Sequence, residues 1–128
     1  MEIVAWILQA LLGLLFVYHA YILLAPKPEQ LRQRGMVWVI EIPAALRVFA
    51  GAAEGLAGLG LILPWATGVL PWLTPLAAAG LVVLMVGAII VHIPRAEYPN
   101  IGLNLVLLAL AAVVAYLRWP ALAAVGIG

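Results

Sequence analysis

Apolar residues run almost unbroken through four stretches, Ile3 to Leu24, Ile42 to Leu63, Pro71 to Ile93 and Ile101 to Leu117. Each is close to the roughly 20 residues that cross the hydrocarbon of a bilayer as an α-helix. The pattern therefore predicts an all-α fold, a transmembrane four-helix bundle in which residues 1–128 make a single four-span membrane domain. Chain breakers stand between the stretches: Pro26 and Pro28 after the first, Pro64 and Pro71 around the second turn, Pro94 and Pro99 around the third. They are expected to end the helices there. The first stretch has no basic leader and exceeds the usual 7 to 15 apolar residues of a signal peptide, so it is expected to stay in the protein.

Composition makes the lipid reading firm. Hydrophobic residues are 68% of the chain and charged residues 9%, whereas soluble domains run at roughly 45 to 50% and about 25%. A core of this size cannot hide so much apolar surface from water. The net charge of +1, with Lys and Arg scattered apart from Arg32 and Arg34, offers no field for nucleic acid, and no nucleic-acid partner is expected. The absence of Cys excludes disulfides, thiolate metal sites and dithiol redox chemistry.

The connection Ala25 to Glu41 carries Lys27, Glu29, Arg32, Arg34 and Trp38 and reads as a short amphipathic segment at the membrane interface. With Arg95 it places four cations on one side against Arg118 on the other, which predicts loops 25–41 and 94–100 in the cytoplasm and both termini outside. Trp6, Trp65, Trp72, Tyr116 and Trp119 gather on the terminal side, and Tyr21, Trp38 and Tyr98 on the loop side, as aromatic belts would.

Polar residues inside the apolar stretches call for partners, since an ionisable group at mid-membrane costs about 2.5 to 3.5 kcal/mol on insertion scales. Arg47, Gly51, Glu54 and Gly58 recur every three or four residues and so share one stripe that must face protein. Gly51, Gly55 and Gly58 would let a neighbouring helix approach closely. Arg47 and Glu54 are about 10.5 Å apart along the helix axis and are expected to find partners elsewhere. His19, His92, Glu97, Asn100 and Asn104 fall in the same half of the bundle, and Gln9 alone lies toward the other half. The two readings are a buried hydrogen-bond network that fixes helix register and a ligand pocket open toward the loop side. His19 and His92 at similar depth also raise haem ligation, but such a coincidence of two histidines arises easily by chance and haem is not expected. A metal site of His92, Glu97 and His19 fits no ligand spacing, so no metal is expected. Arg95 and Glu97, between two prolines, read as a solvated turn.

The run from Arg47 through Gly51, Glu54 and Gly58 to Pro64 resembles the second-helix signature of the DoxX-like membrane proteins. The segment from His92 through Arg95, Glu97 and Pro99 to Asn100, followed by Asn104, resembles the turn before their fourth helix. The first helix departs from the family, whose members often carry Gly and Lys after the Phe, where Phe16 is followed here by Ala20 and Leu23. A role tied to that Lys is absent. The resemblance implies a protein of the cytoplasmic (inner) membrane associated with membrane oxidoreductase systems, which include a thiosulfate and quinone enzyme.

On that resemblance the expected function is an accessory or quinone- or lipid-associated component of a membrane oxidoreductase system. The alternatives are a solute- or proton-conducting protein acting as an oligomer, and a purely structural assembly factor. No catalytic constellation is identifiable. The bilayer is the expected partner, with oxidoreductase subunits or a second copy of the chain as further candidates, and a quinone as the compatible cofactor.

Overall fold

The computed structural model describes residues 1–25, 27–36 and 41–126. Among these, the elements are all helical: α1 (Glu2–Leu24), α2 (Pro28–Gln33), α3 (Ala44–Thr67), α4 (Leu73–His92), α5 (Tyr98–Arg118) and α6 (Pro120–Ala123). Four helices are long and apolar enough to cross a membrane: α1, α3, α4 and the run Tyr98–Ala123. Trp38 and Pro26, expected at the interface and at a break, lie outside the described residues.

The four long helices close a ring, α1 on α3, α3 on α4, α4 on α5 and α5 back on α1. The pairs α1/α3 and α4/α5 are the intimate ones, and the seam between α1 and α5 is the slightest. The interior holds one apolar cluster, with Leu12 and Phe16 from α1, Leu61 from α3, Ala78, Leu81 and Met85 from α4, and Ala111 and Val114 from α5. The outward faces carry Ile7, Leu14, Leu56, Val83, Ile90 and Val106, all exposed. Such a girdle is stable only in lipid. Among the described side chains of α2 only Leu31 is fully buried, packed under the end of α1 against Leu23, while Glu29, Gln30 and Arg32 are exposed.

Glycine sets the α1/α3 approach. A Cβ on Gly58 would lie 2.8 Å from the Gly13 carbonyl oxygen, and one on Gly13 would lie 2.5 Å from Ile62 Cδ1. At Gly58 the obstacle is backbone, which cannot yield, whereas at Gly13 the nearest atoms belong to the Ile62 side chain. Gly51 faces Leu24 and Leu23 of the same partner helix, and Gly55 faces Ala20.

Pro64 does not end the second long helix. α3 runs through it to Thr67, and Gly68 closes the helix with a left-handed φ of 71°. An interior proline normally breaks a helix because it lacks the N–H that would serve the carbonyl four residues back. Here that carbonyl, on Gly60, accepts the Thr74 hydroxyl of α4 at 2.9 Å. The next carbonyl, on Leu61, accepts the Gln9 amide of α1 at 2.6 Å. Neighbouring helices thus supply donors to two carbonyls in the turn before the proline, as membrane helices require.

Candidate functional site

Helix α3 carries Glu54 on its inward face near the middle of the span, and the residue is 6% exposed. Its Oε2 shares a hydrogen bond with His19 Nδ1 of α1 at 2.6 Å. One shared proton satisfies both groups, whichever of them holds it. Two turns earlier on α3, Arg47 donates through Nη1 to the Leu23 carbonyl oxygen. That carbonyl belongs to the last turn of α1, where backbone acceptors have no partner within the helix. The guanidinium also sets a positive charge against the negative end of the α1 dipole. Arg47 and Glu54 therefore both find their partners on α1, across the glycine crossing.

His92 ends α4 and is 3% exposed. Its Nδ1 lies 2.9 Å from Glu97 Oε1, which also accepts Arg95 Nε at 2.8 Å. Arg95 Nη1 donates to Glu41 Oε2 at 2.6 Å. The turn reverses tightly enough for the Glu97 N–H to reach the His92 carbonyl at 3.2 Å, with Ala96 at a left-handed φ of 54°. Arg95 and Glu97, expected as a solvated turn, instead cross-link it: their side chains are 28% and 23% exposed, and Arg95 ties them to the end of the α1–α3 connection. Burial pushes the Glu97 carboxyl up, but the hydrogen bonds from His92 and Arg95 outweigh it and hold Glu97 below its ordinary value. The bonds to Glu41 and Glu97 raise Arg95 further.

Two clefts flank Glu54. The larger, about 300 Å³, lies between α3 and α4 with apolar walls that include Leu46, Phe49, Val83 and Val91, and Arg47, Glu54 and His92 as its polar lining. The smaller, about 170 Å³, lies between α1 and α5 and gathers His19, Glu54, His92, Asn100 and Asn104. Glu54, Ala88 and His92 belong to both. Of the residues singled out in the sequence, five thus meet in the smaller cleft. Arg47 sits in the larger one, Glu97 stands behind His92, and Gly51, Gly55 and Gly58 stay in the α1/α3 seam. Among the described residues no three His, Cys, Asp or Glu side chains gather as a metal site would require.

The sequence pattern missed a second polar group at the terminal end. Arg118, 3% exposed, donates from Nε to Gln9 Oε1 and from Nη1 to Glu2 Oε2, each at 2.7 Å, and stacks 4.0 Å above the Trp65 ring. Gln9 is therefore not isolated: it receives from Arg118 and donates to Leu61. The available signal was the pairing of one cation and one carboxylate on the same side, Arg118 at the end of α5 and Glu2 at the start of α1.

No curated protein and no solved structure matches the chain. The DoxX-like family profile matches residues 7–114, spanning α3, α4 and most of α1 and α5, including both clefts. This chain of four apolar helices is a multi-pass membrane protein that belongs to the DoxX-like family.

Proposed function

We propose that this protein is an accessory, ligand-holding component of a membrane oxidoreductase system, taking the headgroup of a quinone or a similar lipid-soluble molecule beside Glu54. The observation that carries this reading is a buried carboxyl, bonded to His19, on the wall common to two clefts between membrane-spanning helices. A protonatable group in hydrocarbon is costly to keep, which is why such groups mark ligand and proton sites. The Glu54–His19 pair can give a proton to a ligand oxygen or take one from it, while a partner subunit handles the electrons. The cations Lys27, Arg32, Arg34 and Arg95 favour a cytoplasmic loop side in the inner membrane.

The test is purification in gentle detergent, followed by native mass spectrometry, organic extraction and titration with decylubiquinone. Wild type is expected to yield bound quinone and to unfold at higher temperature as decylubiquinone is added, as any ligand of the folded state requires. Glu54→Gln is expected to lose most of that shift. Wild-type protein that carries no quinone and shows no shift ends this reading.

A further inference from the structure

Asn104 stands six residues into α5, about 9 Å along its axis, on the wall of the cleft between α1 and α5. Its amide nitrogen is buried and has no hydrogen-bond partner. An unpaired donor inside a membrane has no water to turn to and costs free energy until something accepts from it. The neighbouring polar groups are already engaged, His19 with Glu54 and His92 with Glu97. Of the remaining lining, Phe16, Met85 and Leu107 carry no side-chain oxygen, and the amide oxygen of Asn100 does not accept from Asn104. We infer that Asn104 is the docking donor of this cleft: it donates to a hydrogen-bond-accepting oxygen, a carbonyl, on a lipid-soluble ligand that enters between α1 and α5.

The terminal torsion of Asn is soft, so its amide can turn its N–H groups to the incoming oxygen. Glu54 and His19 line the same space and meet the ligand from the other side. The larger cleft suits a tail better than a headgroup, because Arg47 is committed to Leu23 and its walls are Leu, Phe and Val. The ligand class rests on the reading proposed above, whereas the donor role of Asn104 rests on its unpaired amide.

The experiment uses full-length protein in nanodiscs of quinone-free lipid, with decylubiquinone and the ester methyl decanoate as probes. Asn104→Leu removes the unpaired donor, so the ligand-free variant is expected to be at least as stable as wild type. Its affinity for decylubiquinone is expected to fall about tenfold, the worth of one hydrogen bond, and the lowered carbonyl stretch of the bound quinone is expected to return to its free frequency. Gly87→Leu fills the larger cleft, where an added Cβ meets nothing within 4 Å, and is expected to weaken binding through the tail while leaving the carbonyl band of the quinone that still binds unchanged. If the ester binds with the same dependence on Asn104 and the quinone does not, the donor assignment stands and the quinone reading fails. If the quinone binds and Asn104→Leu alters neither affinity nor band, the donor assignment is overturned and the quinone reading stands. A marked loss of ligand-free stability in Asn104→Leu also overturns it, since Asn104 would then have a structural partner, and binding of neither probe by wild type overturns both.

Discussion

The Thr74 hydroxyl reaches the Gly60 carbonyl at 2.9 Å, the acceptor that Pro64, four residues further along α3, has no N–H to serve. Proline and threonine sit on different helices, yet together they complete one turn of backbone bonding. Thr74→Val is expected to strand a buried carbonyl and cost about 1–3 kcal/mol. In a Pro64→Ala background the restored N–H serves Gly60, so the same substitution should cost much less. Thermal unfolding of the two single variants and the double variant in nanodiscs reads this coupling directly.

Removing His19 leaves a buried carboxyl without its partner, whereas removing both groups leaves none. His19→Leu is accordingly expected to cost about 1–3 kcal/mol, and His19→Leu/Glu54→Leu less than His19→Leu alone. A double variant as unstable as the sum of the single ones would show that the two groups act independently.

Small substitutions should separate the two kinds of glycine. Gly58→Ala drives a methyl to within 2.8 Å of the Gly13 carbonyl oxygen and is expected to lower stability by about 1–3 kcal/mol, the range for overpacking. Gly87→Ala enters open space and is expected to change little. Unfolding temperatures measured side by side decide it.

The Glu97 carboxyl sits below its ordinary value of 4.5, so near that pH the unfolded chain binds more protons than the folded one. The stability it supplies is whole above about pH 4.5 and fades as the pH falls through the depressed folded value. The difference in unfolding temperature between wild type and Glu97→Gln is therefore expected to be constant at neutral pH and to shrink in acid. A difference that grows on acidification contradicts the sign.

The four apolar helices were legible because lipid demands long uninterrupted runs, and no short-range ambiguity survives at that length. Pro64 misled because the rule that proline ends a helix counts only donors on its own strand of chain, and here they come from Gln9 and Thr74. The Glu2–Arg118–Gln9 cluster was hidden for a related reason, since its members are 109 and 116 positions apart. In the sequence Arg118 is the cation of the terminal side, and only the packing of α5 against α1 draws it inside. Periodicity placed Arg47 and Glu54 on a protein-facing stripe, but it carries no information on which helix lies opposite. That both residues bond to α1 depends on the close approach at Gly13 and Gly58, and the distance between two backbones is a tertiary quantity.

The ring of helices is unevenly bonded, tight within α1/α3 and α4/α5 and looser where these pairs meet. Both hollows lie along the looser junctions, with Glu54 contributed by one half and His92 by the other. The halves are pinned to each other at either end, by Arg118 on Gln9 and Glu2 and by Arg95 on Glu41, so a guest proposed for these hollows would enter sideways from the lipid, between the pins. Exchange of such a guest would then be governed by how fluid the surrounding lipid is, not by diffusion through water.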